Sequence, residues 1–119
     1  MILPLLAIAL AAPQATPEIP LIYRGSTLFQ NCQADVRTMD IPDAKQDYVA
    51  AAHCQSYIAG AMAGLYVAGY KGICADSASF GTLSRVYVAY MQKHPKLLDS
   101  HQMDGFMQAM LDAYPCAAK

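Results

Sequence analysis

The chain has 119 residues, of which 55% are apolar and 14% are charged, and its formal net charge is -1. This length accommodates one domain with its own core, and the charged fraction is low against about 25% in average globular proteins. Lys and Arg are scattered along the chain. This distribution argues against partners such as nucleic acid or anionic lipid, since both require a clustered basic face.

The chain begins with an apolar run, MILPLLAIALAA, that ends in small residues. The run is shorter than the roughly 20 residues needed to cross a bilayer, and we predict no membrane span. It has the apolar core and small-x-small ending of a secretory signal, although no Lys or Arg precedes it. We therefore predict a signal peptide over residues 1–12, cleaved near Ala11 or Ala12. A Pro-rich lead-in (13–23) and a helical domain (24–119) follow it.

The first predicted helix runs from Thr27 to Arg37, with Ser26 as its N-cap. Its apolar residues recur on one helical face: Leu28, Phe29, Cys32 and Val36. The loop TMDIPD follows.

The second predicted helix runs from Asp43 to about Tyr70. Asp43 and Gln46 form a capping-box pattern at its start, and Gly69 and Gly72 mark its end. Small residues stand at every fourth position along it: Ser56, Gly60, Gly64 and Ala68. Because such a stripe lets another helix approach closely, we predict that this helix is buried at the centre of the domain.

The third helix is predicted from Thr82 to His94, where Pro95 stops it, and the fourth from its N-cap Ser100 to Tyr114. Both helices have amphipathic stripes. The tyrosines on the helices are assigned by default to the core. The alternative is a recognition surface, where tyrosine is also favoured. No alternating Val- and Ile-rich run indicates a sheet. The predicted fold is all-α, a small disulfide-stapled bundle of about four helices.

The mature part of the chain contains four cysteines: Cys32, Cys54, Cys74 and Cys116. An even number in a short exported chain indicates a disulfide framework, and the three possible pairings stay open at this point. Disulfide formation consumes the thiols, so a Cys–His nucleophile would need an unusual exposed thiolate. Adjacent helical residues do not face each other, and we interpret His53, beside Cys54, as an ordinary partly exposed residue.

The spacing of the other polar residues predicts neither metal binding nor catalysis. Zinc sites need ligand pairs such as C-x-x-C, c-type haem needs C-x-x-C-H, and neither pattern occurs. There is no glycine-rich phosphate loop. Aspartates cluster at helix starts, where the helix dipole accounts for them. We predict no metal, no cofactor and no catalytic residue, and an enzyme is the least favoured class.

Five motifs occur in a recognisable order: GSTLFQNC, CQSYIAGAMAG, CADSASFGTLSR, VAYMQKHP and LDAYPC. Over roughly residues 24–116, their order and spacing resemble the exported immunity proteins of the Rap/Tai type. Those proteins protect bacteria from amidase toxins injected by type VI secretion systems. The resemblance implies a disulfide-bonded, all-helical periplasmic protein without activity of its own. Such a protein binds a peptidoglycan amidase, occludes its active-site cleft and can form a homodimer.

The resemblance also implies that Cys32 pairs with Cys54 and Cys74 with Cys116. It points to the loop between the second and third helices as the inhibitory surface. We take four residues of this region as candidate toxin contacts, with capping and padding of the third helix as the alternative: Asp76, Ser77, Ser79 and Phe80. The chain departs from the family pattern at Ser56, usually a glycine, and in this loop, which lacks the usual proline.

A second function stays open, because a fold does not determine a function. A stand-alone periplasmic helical protein with a chaperone or envelope-stress role could have the same fold. A chaperone binds many unfolded clients weakly, whereas an immunity protein binds one toxin tightly, so a titration separates the two.

Overall fold

The computed structural model describes residues 17–41 and 45–117, so the predicted signal peptide and its cleavage site lie outside the described residues. The described ranges hold four α-helices and no strand: α1 (Gly25–Asp40), α2 (Tyr48–Val67), α3 (Phe80–Lys93) and α4 (Gln102–Ala113). Short 3-10 helices precede α1 (Leu21–Tyr23) and α4 (Pro95–Asp99). None of the described helices is both long enough and apolar enough to cross a membrane.

Two disulfides tie the helices together. Cys32 of α1 pairs with Cys54 of α2, with their Cα atoms 4.9 Å apart. Cys74, in the loop after α2, pairs with Cys116, beyond the end of α4, across 5.0 Å. The all-α fold, the disulfide framework and the pairing implied by the resemblance are all confirmed.

The core lies where α1, α3, α4 and one side of α2 meet. Fully buried side chains come from every helix, among them Leu28 of α1, Ile58 of α2, Tyr87 of α3 and Phe106 of α4. The central helix is α1: α1 and α3 each pack against the other three helices, and α1 makes the more extensive contacts with them. The prediction that the second helix is central is therefore wrong.

The stripe of small residues on α2 faces solvent: Ser56, Gly60, Gly64 and Ala68. The helix instead buries Ala51, Cys54 and Ile58, and a Cβ added to Gly60 or Gly64 would have no atom within 4 Å. Apolar and small residues run right round this helix, so no polar face marks its outward side. Within residues 17–41 and 45–117 no helix packs closely on the stripe, contrary to the prediction.

The starts of α1 and α4 differ from the predicted caps. α1 begins at Gly25, so Ser26 lies inside the helix rather than capping it. The Gly25 N–H donates to the Ser100 carbonyl at 2.8 Å, which joins the start of α1 to the segment before α4. His101 caps α4 instead of Ser100, and its Nδ1 accepts from the Met103 N–H at 3.1 Å.

The start of α2 is also displaced. Asp47 caps the helix, and its carboxylate accepts from the Ala50 N–H at 3.0 Å. Asp43, the predicted cap, lies outside the described residues, and the Gln46 amide donates to the Ile41 carbonyl rather than closing a capping box. The end of the helix agrees with the sequence, because Gly69 has a φ of 72°, a conformation that glycine adopts without strain.

The buried Tyr87 and the half-buried Tyr57 connect the helices. Burial raises the pKa of Tyr87 above its ordinary value, and its hydroxyl donates to the Gly25 carbonyl at 3.3 Å. Burial, with a smaller contribution from the Asp104 carboxylate, raises the pKa of Tyr57 to about 12. Both phenols therefore stay protonated at neutral pH. On the surface, Arg85 bonds Asp40 and lowers the pKa of that carboxyl.

Replacing Gly60 by Ala is expected to stabilise the protein by up to about 1 kcal/mol, because an exposed helical glycine gains from a methyl group. The matched change Gly25→Ala is expected to cost about 1–3 kcal/mol, since the new Cβ would meet the Leu97 carbonyl of the backbone. Urea unfolding followed by circular dichroism measures both values. The measurement uses a protein concentration at which the chain is monomeric, and a loss of stability in Gly60→Ala under that condition would contradict the exposure of Gly60.

Candidate functional site

The loop between α2 and α3 is fastened at its α2 end and in its middle. At the α2 end, the Tyr70 N–H donates to the Leu65 carbonyl at 3.0 Å. Further along, the Cys74 N–H donates to the Tyr114 carbonyl at 2.8 Å and the Cys116 N–H to the Gly72 carbonyl at 3.2 Å. The Cys74–Cys116 disulfide lies between these two bonds. The loop is thereby held against the chain that leaves α4.

This loop, the last turns of α2 and the first turn of α3 enclose a groove of about 510 Å³. Met62, Leu65 and Leu83 contribute apolar side chains to it. Three aromatic residues lie along it and are exposed to solvent by 86%, 41% and 47%: Tyr66, Tyr70 and Phe80. Lys71 and Asp76 add one charge of each sign. We call this feature the aromatic groove.

The four predicted contacts do not all belong to the aromatic groove. Asp76 and Phe80 line it. Ser79 is the N-cap of α3, and its Oγ accepts from the Thr82 N–H at 3.1 Å, as in the capping alternative. Ser77 is exposed and does not line the groove. The structure thus brings two of the four predicted residues together at one surface.

Sequence reasoning missed Tyr66, Tyr70 and Lys71. The default assignment of helical tyrosines to the core is correct for Tyr87 and wrong for Tyr66, which is 86% exposed. Tyr66 lies in the last turn of α2 and Tyr70 just beyond the turn at Gly69, and both line the groove. Such a pair beside a loop is the signal that could have indicated a recognition surface.

A buried polar network lies behind Phe80. Asp35 is only 2% exposed, and its carboxylate accepts from the Ser84 hydroxyl at 2.6 Å and from the Gln55 amide at 2.8 Å. The Ser84 Oγ also lies 3.1 Å from the Phe80 carbonyl and 3.3 Å from the Cys54 Sγ. Since hydrogen bonds to a buried carboxylate are strong, the network joins α1, α2 and α3 near the start of α3.

The remaining polar side chains do not form a catalytic arrangement in the part of the chain that the structure describes. All four cysteine sulfurs are in disulfides, so no thiolate nucleophile exists while these bonds are intact. His94 stacks on Tyr90 with ring centroids 3.9 Å apart, and His101 stacks on Tyr23 and caps α4. His53 is exposed, as predicted. Residues 17–41 and 45–117 contain no group of three metal-ligating side chains.

A family model described as Rap1a immunity proteins matches residues 24–116 of this chain. The chain belongs to the Rap1a immunity protein family. Membership confirms the resemblance found in the motifs, and it indicates immunity to a type VI effector through binding of that toxin. Proteins of the Rap1a family are generally not enzymes, and the family together with the disulfides indicates an exported protein. Searches of curated proteins and of solved structures found no match.

Proposed function

We propose that this protein is a periplasmic immunity protein that binds a peptidoglycan amidase and occludes its active-site cleft. In this proposal a type VI secretion system delivers the amidase. The Rap1a family match supports the toxin-binding part, and the motif resemblance supports the amidase class. The two disulfides support an oxidising compartment. A signal peptide over residues 1–12 would deliver the protein there.

The observation that carries the proposal is the aromatic groove. Tyrosine and other aromatic residues are enriched among the few interface residues that contribute most of a binding energy, and here three of them project beside one apolar depression. The neighbouring loop is fastened by a disulfide, and α3, which begins with Phe80, is joined to α1 by the hydrogen bond from Ser84 to Asp35. A surface held in one conformation loses little entropy on binding, which suits a tight inhibitor.

The proposal includes a homodimer, as the family resemblance implies. The exposed side of α2 suits a second copy, because Val49 and Val67 stand equally far from Ile58 along the helix and small residues lie between them. An antiparallel pair of α2 helices would place Val49 of one copy near Val67 of the other. Residues on this side are exposed, Val49 by 69% and Val67 by 85%, so they are accessible to such a partner.

The test is a titration of the oxidised mature protein against the amidase encoded beside its gene, while hydrolysis of peptidoglycan is followed. We expect saturable inhibition at one immunity chain per toxin chain, with no turnover by this protein alone. Light scattering on the complex then separates a one-to-one assembly from a two-to-two assembly. Weak binding to many unfolded proteins, without inhibition of any amidase, would contradict the proposal and favour the chaperone function.

Two variants locate the binding surface. Tyr66→Ala is expected to weaken binding by about 30-fold or more, the loss typical of a residue central to an interface. Ile22→Ala is the matched control, because it also removes an exposed apolar side chain but lies outside both the aromatic groove and the proposed dimer face of α2. Equal affinities of the two variants for the amidase would show that the aromatic groove is not the binding surface.

A further inference from the structure

The two disulfides have very different surroundings. Cys32 and Cys54 are both fully buried between α1 and α2. Cys74 is exposed and Cys116 is half-buried, and both line the aromatic groove. One disulfide is therefore enclosed by the core, whereas the other lies at the surface that we propose for toxin binding.

This difference determines which disulfide a reductant reaches. Thiol–disulfide exchange requires a thiolate to approach one of the two sulfurs, so its rate depends on access to the bond. The exposed side of Cys74 permits this approach in the folded protein. The Cys32–Cys54 bond becomes accessible only when α1 separates from α2, which requires opening of the core.

The surface disulfide also holds the groove in shape. It connects the loop over residues 68–79 to residues 114–116, next to the two backbone hydrogen bonds from the Cys74 and Cys116 N–H groups. Both cysteines lie outside the α-helices, so breaking the bond leaves the core helices in place. Without it, the loop wall of the groove depends on those two backbone hydrogen bonds, on the burial of Ala75 and on the partly buried Ile73 and Ala78.

We infer that Cys74–Cys116 is a redox-sensitive latch on the aromatic groove, which a dithiol reductant opens while Cys32–Cys54 stays closed. Its effect on toxin binding rests on the proposed function. A thiolate of the dithiol attacks the Cys74 Sγ, the bond between the two cysteines breaks, and Cys116 leaves as a thiolate. In the resulting mixed disulfide, one sulfur of the dithiol is bonded to the Cys74 Sγ. The second thiolate of the dithiol attacks that dithiol sulfur, closes a cyclic disulfide and releases Cys74 as a thiolate. The dithiol is oxidised by two electrons, and its two protons pass through solvent to the cysteines.

The first experiment follows the order of reduction. The oxidised protein is treated with dithiothreitol for increasing times, quenched with iodoacetamide and digested for mass spectrometry. We expect alkylation of Cys74 and Cys116 at least about tenfold faster than alkylation of Cys32 and Cys54. Equal rates, or faster reaction of the buried pair, would overturn the inference.

The second experiment measures how opening of the Cys74–Cys116 disulfide changes the loop and the inhibition of the amidase. In the protein alkylated at Cys74 and Cys116 we expect faster hydrogen exchange of the amides at residues 70–79 and 114–117, by about tenfold or more, with α1 unchanged. Inhibition of the amidase is expected to weaken at least about tenfold. The variant Cys74→Ser/Cys116→Ser is the matched control, which should reproduce both effects without any reductant.

The outcomes separate the latch from the function. If opening the disulfide changes neither amide exchange nor inhibition, the latch is wrong and the immunity function stands. If the oxidised protein inhibits no amidase but the order of reduction and the exchange pattern are as expected, the proposed function is wrong. In that case the groove is still held by a redox-sensitive bond.

Discussion

Replacing Cys32 and Cys54 together by Ala is expected to lower the free energy of unfolding by about 5 kcal/mol. The disulfide joins residues 22 apart in sequence, and loop-closure entropy alone gives about 3.5 kcal/mol for a loop of that length. Both sulfurs are fully buried, so their removal also leaves cavities that cost about 1 kcal/mol each. Urea unfolding of the double variant, followed by circular dichroism, measures the loss.

The second disulfide provides the control. Cys74 and Cys116 lie 42 residues apart, so loop-closure entropy gives a slightly larger value of about 4 kcal/mol. Their outer position adds little packing loss, and Cys74→Ala/Cys116→Ala should therefore cost less than the buried double variant. The prediction also holds if Cys32→Ala/Cys54→Ala is already unfolded without urea while Cys74→Ala/Cys116→Ala is folded. A larger loss of stability in Cys74→Ala/Cys116→Ala would mean that loop length, and not burial, determines which disulfide stabilises the protein more.

Phe106→Ala is expected to cost about 3–5 kcal/mol, the loss typical of a large aromatic removed from a closed core. The ring is fully buried. It makes an edge-to-face contact with Tyr57, with centroids 5.8 Å apart, and a tilted contact with Tyr87 at 6.3 Å. These contacts bring α2, α3 and α4 together at one point. Equilibrium urea unfolding measures the loss.

The matched control is the same substitution at Phe80, whose ring is 47% exposed at the aromatic groove. Phe80→Ala should change stability by about 1 kcal/mol or less, while its effect appears in toxin binding. Phe106→Leu keeps most of the buried volume and should recover part of the loss. Equal stabilities of the Phe106→Ala and Phe80→Ala variants would place the centre of the core elsewhere.

Helix positions were predictable where apolar residues recur at helical spacing and polar residues occupy the opposite face. The third and fourth helices have strong stripes, and both occur close to their predicted ranges, with α3 ending two residues before Pro95. Caps were harder, because a polar side chain near a helix start has several possible partners. Ser26, Asp43 and Ser100 were plausible caps, yet contacts between distant segments, such as the bond from Gly25 to Ser100, decide where α1 begins.

The candidate site was predictable only in part. The loop before α3 was identified, and Asp76 and Phe80 do line the groove. Ser79 serves as a helix cap, because its hydroxyl is suited to the free N–H groups of α3. Tyr66 was assigned to the core by default. Because α2 is apolar all round, its residue pattern does not indicate which side of the helix is buried.

The sequence by itself determined the fold class, the disulfide framework and the family. Helical periodicity is read from neighbouring residues, the disulfide framework from the number of cysteines, and the family from the order and spacing of the motifs. The tertiary structure alone decided that α1 is the central helix, that the small residues of α2 face outward and that one disulfide is buried while the other is exposed. These features depend on which surfaces of distant segments meet, and a residue's neighbours in sequence do not specify that choice.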